Sequence, residues 1–406
     1  MNDSSVNFTN HVQQNSFQTT SNAWTIVHGR VLDDNSLTKR DITFHDGQID
    51  KNDAPTDTNA RQFDAAGCLV LPGIVDIHGD AFEHIITPRT GVSFDIALAL
   101  READRQLIAN GITTAYHGLT VSWEPGERSI ERGRTVREVL NRERPNLHCS
   151  THLHIRWETF ALDTAAEVAG WLADEPNVIL AFNDHTTESI AGTRKGGKIE
   201  KMAQRAGLSV EDFKALMARV WERRDEVNGA IERMAAAARE AGATLLAHDE
   251  TSPEQRMWFR NLGARASEFP TNIETAANAR AHDEHTILGA PNVLRGCSHT
   301  GHLSATEAIV KGMCTVLATD YYYPAPLHAA FKLVRDGICG LPEAWRLISA
   351  NPAEAAGFTD RGSLTTGKRA DVVVINDRDP KAPRLVAVFV AGKPVFMDLT
   401  SPCLLS

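Results

Sequence analysis

Eight apolar, strand-like segments alternate with helical patterns through the middle of this 406-residue chain, and this alternation constrains the fold more than any other feature. Parallel strands need long crossover connections, usually helices, so such repeats predict a parallel sheet whose faces are covered. Eight units are enough to close the sheet into a (β/α)8 barrel of the TIM type. The predicted strands are residues 74–78, 112–118, 152–158, 178–185, 244–248, 266–270, 286–289 and 314–320.

The two ends of the chain have a different pattern. Short alternating segments within residues 24–44 and 371–396 are typical of small antiparallel β-structure. We expect residues 23–66 and 363–400 to pair into one small β-sandwich domain, with the barrel of residues 67–362 inserted between them.

The composition argues against several classes of protein. A net charge of −10 without a basic block disfavours a nucleic-acid partner. No apolar run approaches the roughly 20 residues that span a bilayer. The six cysteines form no Cys-x-x-Cys pair, which fits a reducing compartment. We therefore expect a cytoplasmic protein with neither a nucleic-acid nor a membrane partner; homo-oligomerisation is left open. A small anionic substrate would need a locally basic pocket in so acidic a chain. Residues 1–22 lack the layout of a signal peptide and are expected to form a disordered tail.

Polar side chains follow the predicted strands, where the active site of a (β/α)8 barrel lies. Residues two apart in a strand point to the same side, so His78 and Asp80 can bind one divalent cation together. Alternatively, the histidine only hydrogen-bonds the aspartate of a turn. Suitable residues at four further strand ends favour the metal interpretation. The predicted ligands are His78, Asp80, Glu158, His185, His248 and Asp320.

This set of imidazoles and carboxylates suits two Zn²⁺ ions, with Mn²⁺ or Fe²⁺ as alternatives. The predicted catalytic residues are Glu158, as the carboxylate that bridges the ions, and Asp320, as the acceptor of a proton from the attacking water. His154 is expected to be structural. Asp249 and Glu250 either orient the imidazole ligands or are solvated carboxylates.

A second set of residues is basic and suits an anionic substrate. The segment around Arg194 and Lys195 contains two glycines and follows the fourth strand, where it could wrap phosphate oxygens. Alternatively, these basic residues form a solvated surface with no role in binding. The residues predicted to bind substrate are Arg89, Arg156, Arg194, Lys195, Arg295, His299 and His302.

Several longer stretches carry a resemblance to a known family. They are residues 71–80, 87–89, 154–158, 183–185, 247–250, 268–271, 289–296 and 320–322. Together they resemble the amidohydrolase superfamily and, within it, the PhnM branch of α-D-ribose 1-methylphosphonate 5-triphosphate diphosphatases. The superfamily commonly has His-x-His on its first strand, whereas this chain, like that branch, has His78-Gly79-Asp80.

The resemblance implies a metal-dependent hydrolase of phosphonate catabolism. Such an enzyme cleaves a triphosphorylated ribose phosphonate to the 5-phosphate and diphosphate. Water would attack the phosphorus nearest the sugar, and basic groups would hold the outer phosphates. Tyr322, in one of the matching stretches, joins the residues expected at the substrate.

Two other functions remain open from the sequence. A related amidohydrolase could use the same metal site to cleave a C–N bond of an N-acyl amino acid or a cyclic amide. A barrel that had lost its ligands could instead serve as a non-catalytic scaffold, although this chain retains all six predicted ligands.

Overall fold

The structure, a computed structural model, describes residues 23–33, 35–50, 60–89, 91–190, 198–296 and 303–400. The expected tail, residues 1–22, lies outside this part of the chain. The strands are β1 (Trp24–Val27), β2 (Arg30–Asp33), β3 (Ser36–Lys39), β4 (Ile42–His45), β5 (Gln48–Ile49), β6 (Arg61–Asp64), β7 (Leu69–Pro72), β8 (Ile74–Gly79), β9 (Ile112–Val121), β10 (Ser150–Glu158), β11 (Ile179–Asn183), β12 (Thr244–His248), β13 (Ala266–Glu268), β14 (His285–Gly289), β15 (Val316–Ala318), β16 (Val372–Asn376), β17 (Arg384–Val390) and β18 (Lys393–Met397).

The helices lie mainly between the strands of the central sheet. They are α1 (Ala81–Ile86), α2 (Ile96–Ala109), α3 (Ile130–Glu143), α4 (Ala165–Asp174), α5 (His185–Ile190), α6 (Lys198–Ala206), α7 (Val210–Glu222), α8 (Val227–Glu240), α9 (Pro253–Asn261), α10 (Ile273–Arg280), α11 (Ala290–Arg295), α12 (Ala305–Val310), α13 (Ala325–Arg335), α14 (Leu341–Arg346) and α15 (Ala350–Ala355). None of the helices in the described ranges is long and apolar enough to cross a membrane.

Strands β8 to β15 form one parallel sheet in chain order, which confirms the predicted (β/α)8 barrel. The first and last strands meet through a parallel bridge between Gly79 and Asp320. The Asp320 N–H donates to the His78 carbonyl at 3.0 Å, and the Asp80 N–H donates to the Asp320 carbonyl at 2.9 Å. The closure of the barrel therefore brings the end of β8 against the segment that follows β15.

A buried carboxylate reinforces this closure. Asp76 accepts hydrogen bonds from the Thr319 N–H at 2.9 Å and from the Thr319 hydroxyl at 2.6 Å. Burial raises the pKa of Asp76 to about 6, although the hydrogen bonds from Thr319 oppose this shift. Between β8 and β15, side-chain hydrogen bonds thus supplement a short backbone pairing.

Two sheets from the ends of the chain pack face to face as a small sandwich, as predicted. One sheet has the order β5-β4-β1-β6, and the other has the order β18-β17-β16-β7-β2-β3. Phe389 lies in their shared core, with its ring 5.4 Å from that of Trp24 and 5.2 Å from that of Phe44. Strand β7 also belongs to this sandwich, although it lies beyond the expected boundary at residue 66.

The charged helical segment between β11 and β12 comprises three helices. Helix α8 is the crossover helix and packs against α4 and β12. Helices α6 and α7 form a separate apolar cluster around Phe213 and Met217, with Trp123 from the loop after β9 packed against it. The expected lid function of this segment stays a prediction.

Gly79 lies where the barrel closes, and no larger residue fits there. A Cβ atom at this position would lie 2.7 Å from Asp76 Oδ2 and 2.9 Å from Thr319 Oγ1. We therefore expect Gly79→Ala to separate these side chains and to lower the free energy of unfolding by about 1–3 kcal/mol. Thermal and urea denaturation measure this loss.

Gly170→Ala is the matched control. Gly170 is exposed in α4, and nothing lies within 4 Å of an added Cβ atom. Because alanine favours a helix interior over glycine by roughly 0.5–1 kcal/mol, this variant should be as stable as the parent or more stable. Equal stability of Gly79→Ala and the parent protein would contradict the proposed role of the closure.

Candidate active site at the mouth of the barrel

His78, Asp80 and Asp320 meet at the point where the barrel closes. Their ligand atoms all lie within 4.8 Å of one another. His78 is buried, whereas Asp80 and Asp320 are partly exposed, so the group opens toward solvent. One imidazole and two carboxylates are a suitable set for a divalent cation.

Glu268, at the end of β13, is a further component of this site. Its Oε1 lies 2.8 Å from His78 Nδ1, and both side chains are buried. His78, His248 and Glu268 form a second group whose ligand atoms lie within 4.8 Å of one another. A carboxylate that binds one imidazole nitrogen commonly orients the other nitrogen toward a metal.

Glu268 is not among the site residues predicted from the sequence. The predicted strand extended to residue 270, whereas β13 ends at Glu268. Phe269, which follows, has a φ of 51°, in the left-handed region. Asp249 and Asp320, which lie just after β12 and β15, have a φ of 56°. The backbone changes direction at these strand ends. The pattern of apolar residues in the sequence does not show where this change occurs.

Several buried polar atoms around Glu268 lack a hydrogen-bond partner in the described part of the chain. They include Glu268 Oε2 and His154 Nε2, which lie 3.6 Å apart. His154 Nδ1 lies 2.9 Å from the Ile77 carbonyl, which requires the proton on Nδ1 and leaves Nε2 with a lone pair. Burying an acceptor atom without a hydrogen-bond donor is costly. A cation between Glu268 Oε2 and His154 Nε2 would satisfy both lone pairs. Burial lowers the pKa of His154 to about 3.

Arg156 lies between the two groups of candidate ligands. Its Nη1 lies 3.4 Å from Asp80 Oδ2, and its Nη2 lies 3.3 Å from His248 Nε2. The other ring nitrogen, His248 Nδ1, lies 3.2 Å from Asp249 Oδ2. Burial alone would raise the pKa of Asp249, but His248 and His185 hold it well below its usual range.

Glu158, the last residue of β10, contacts His185 at the start of α5. Glu158 Oε1 accepts hydrogen bonds from the His185 N–H at 3.1 Å and from the Thr186 hydroxyl at 2.8 Å. His185 Nδ1 lies 3.2 Å from Glu158 Oε2, and its Nε2 lies 4.0 Å from Asp249 Oδ2. Within the described ranges, neither residue belongs to the two groups above, and the bridging role of Glu158 stays a prediction.

Asp320 combines burial with a nearby like charge. Burial and the Asp80 carboxylate raise the pKa of Asp320 to about 7, although Arg156 opposes this shift. A carboxyl group that titrates near neutrality can accept a proton from water and release it again.

The residues predicted to bind substrate are spread more widely. Arg89 is exposed in the turn after α1, and Tyr322 is also exposed. Arg295 Nη1 lies 3.5 Å from the Tyr321 hydroxyl. Four of the predicted residues lie outside the described residues: Arg194, Lys195, His299 and His302. The Glu250 carboxylate contacts the Arg256 guanidinium at 3.2 Å and the Ser267 hydroxyl.

Solved structures with this architecture are numerous. A β-aspartyl dipeptidase from Fervidobacterium islandicum AW-1 is 16% identical, with a TM-score of 0.63 over 93% of this chain and 98% of that one. An amidohydrolase from an environmental sample of the Sargasso Sea is 15% identical, with a TM-score of 0.63 over 93% of each chain. At such low identity these likenesses establish the fold.

The sequence itself is similar to one curated enzyme. The chain is 29% identical over 345 residues to the α-D-ribose 1-methylphosphonate 5-triphosphate diphosphatase of Escherichia coli (strain K12). The match covers 82% of this chain and 89% of that protein. The chain therefore resembles this diphosphatase in sequence and the solved amidohydrolases in fold. No family model matches the sequence.

The contact between Glu268 and His78 generates a prediction about metal binding. Glu268→Gln keeps the size of the side chain but removes its charge, so we expect affinity for Zn²⁺ to fall about 10- to 100-fold. Titration of the metal-stripped protein with Zn²⁺, together with metal analysis, measures this change without an activity assay. Glu274→Gln, at an exposed position on α10, is the control. Unchanged affinity in Glu268→Gln would remove Glu268 from the site.

Proposed function

We propose that this chain is a metal-dependent diphosphatase that hydrolyses α-D-ribose 1-methylphosphonate 5-triphosphate to the 5-phosphate and diphosphate. The observation that carries the proposal is the meeting of His78, Asp80 and Asp320 beside Arg156 at the mouth of the barrel. The similarity to the E. coli diphosphatase over most of both chains supports this choice of substrate. The proposed setting is phosphonate catabolism in the cytoplasm.

The chain has suitable residues for a divalent cation, for which we propose Zn²⁺, with Mn²⁺ or Fe²⁺ as alternatives. His78, Asp80 and Asp320 would hold one ion, with Glu268 orienting the His78 ring. A second ion would use His248, together with Glu158 and His185 as predicted from the sequence. A divalent cation lowers the pKa of a water that it binds and neutralises charge on a phosphoryl oxygen.

The protein's own residues would act on the proton and on the phosphate charge. Asp320 would accept the proton of the attacking water, because its carboxylate lies beside His78 and Asp80 at the mouth of the barrel. Arg156 would face the negative charge that grows on the phosphoryl oxygens, since its guanidinium lies beside Asp80 at the same mouth. Arg89, Arg295 and Tyr322 stay proposed substrate contacts.

Asp320→Asn tests the catalytic assignment. The amide cannot accept the proton, so we expect kcat for release of diphosphate to fall at least 1000-fold, at the upper end of what general acid–base groups contribute (about 10²–10⁴-fold). Asp336→Asn, at the exposed residue just after α13 whose carboxylate pairs with Lys332, is the control. The same assay with N-acyl amino acids and cyclic amides tests the alternative C–N hydrolase. Hydrolysis of those compounds but not of the sugar triphosphate would refute the proposed substrate.

Glu158→Gln tests whether Glu158 bridges two ions. If it does, the metal content of the purified protein should fall from two ions per chain to one or fewer. If Glu158 only anchors the start of α5, metal content should be unchanged while thermal stability falls, because its hydrogen bonds to His185 and Thr186 weaken. Metal analysis and thermal denaturation of the same sample separate these outcomes.

A further inference from the structure

The turn that follows β9 carries an arginine, Arg128, which ends the short 3₁₀ helix Gly126–Arg128. Its Nε atom is buried and has no hydrogen-bond partner among the residues that the structure describes. The side chain as a whole is partly exposed. A buried N–H group without an acceptor is costly, because it has lost water without gaining a partner.

The backbone holds this turn firmly in place. The Ser122 N–H donates to the Arg128 carbonyl at 2.8 Å. Gly126 has a φ of 83°, and a Cβ atom there would lie 2.8 Å from the Arg205 carbonyl. The turn therefore packs directly on the end of α6, with a glycine at the point of closest approach.

Helix α6 brings a second arginine to the same place. Arg205 forms an ion pair with Glu124 through Nη2 at 2.5 Å and Nε at 3.2 Å. Glu124 is buried and lies in the same loop as Arg128. Arg205 is thus paired with a carboxylate, whereas Arg128 Nε has no hydrogen-bond partner among the described residues.

These two residues continue the charge of the candidate active site. Burial lowers the pKa of Arg128, and the charges of Arg205 and Arg156 lower it further, whereas the carboxylates of Glu83 and Glu124 oppose this shift. Arg156 in turn contacts Asp80. Because the turn follows the carboxyl end of β9, it lies on the mouth side of the barrel. Three guanidinium groups therefore share this side of the mouth with the Glu83 and Glu124 carboxylates.

We propose that Arg128 and Arg205 form an anion subsite that receives the outer phosphates of the substrate, the part that leaves as diphosphate. The identity of the substrate rests on the function proposed above, whereas the affinity for a polyanion rests on the arginines. A guanidinium suits this position because its planar N–H groups can bind two phosphate oxygens at once. Arg128 supplies N–H donors, and Arg205, fixed by Glu124, supplies a second charge.

Arg128→Gln tests the subsite in the full-length, metal-loaded protein. We expect KM for the sugar triphosphate and the dissociation constant of inorganic diphosphate to rise about 10- to 100-fold, with a smaller change in kcat. Arg128→Lys keeps the charge but loses the paired donors, so the rise should be several-fold. Calorimetric titration with inorganic diphosphate gives the affinities, and metal content should match that of the parent protein.

Arg134→Gln is the matched control. Arg134 lies six positions further on, in α3, where it pairs with Glu167 on the outer surface at 2.9 Å. This variant should bind diphosphate as the parent does. An unchanged affinity in Arg128→Gln would overturn the subsite. If Arg128→Gln does not fold, an affinity in Arg128→Lys equal to that of the parent would overturn it.

The same experiment separates the subsite from the proposed function. If the parent protein hydrolyses the sugar triphosphate and Arg128→Gln binds diphosphate normally, the subsite is wrong and the function stands. If the parent protein does not hydrolyse the sugar triphosphate, yet binds diphosphate in a way that depends on Arg128, the subsite stands and the function is wrong.

Discussion

The closure of the barrel between its first and last strands is the contact on which the candidate site depends. Strand β15 has only three residues, so its pairing with β8 is short. Asp76 supplements this pairing by accepting two hydrogen bonds from Thr319. The same closure places Asp80 and Asp320 side by side, although two carboxylates repel each other. The hydrogen bonds of the closure therefore hold together an arrangement that electrostatics opposes and that a cation would stabilise.

Charge at the mouth is divided between two sides. Carboxylates and imidazoles from β8, β12, β13 and the segment after β15 surround one side, where a cation fits. Arginines from β10, from the turn after β9 and from α6 lie on the other side, where an anion fits. Arg156 belongs to both sides of the mouth, since it contacts Asp80 and His248 and also interacts electrostatically with Arg128. A substrate whose negative charge is spread along a chain of phosphates matches such a division better than a neutral amide does.

The sequence was sufficient to predict the barrel and the sandwich, because hydrophobic periodicity follows directly from which side of a strand is buried. In β10, Leu153 and Ile155 pack outward, as the alternation predicts, while His154 and Arg156 face the site. The alternation fails in β8, where Ile77 packs in the barrel interior and the next residue, His78, also reaches across it. A register shift in this strand accounts for the difference, and such irregularities leave no clear mark on the sequence. The sequence does not single out Arg128 for a related reason: the lack of a hydrogen-bond partner for its Nε within the described residues depends on how α6 packs on the turn.

The small sandwich joins the two ends of the chain, and this has a consequence for how the protein is made. In the central pairing of its larger sheet, Val372 lies opposite Pro72, 300 positions earlier. A ribosome that adds roughly 5–20 residues per second needs about 15–60 s to make the intervening chain. During this interval the apolar sides of β1 to β7 lack the strands that cover them. We therefore expect the barrel to fold first, with the N-terminal strands waiting as an unpaired edge that chaperones or the barrel itself must shield from aggregation.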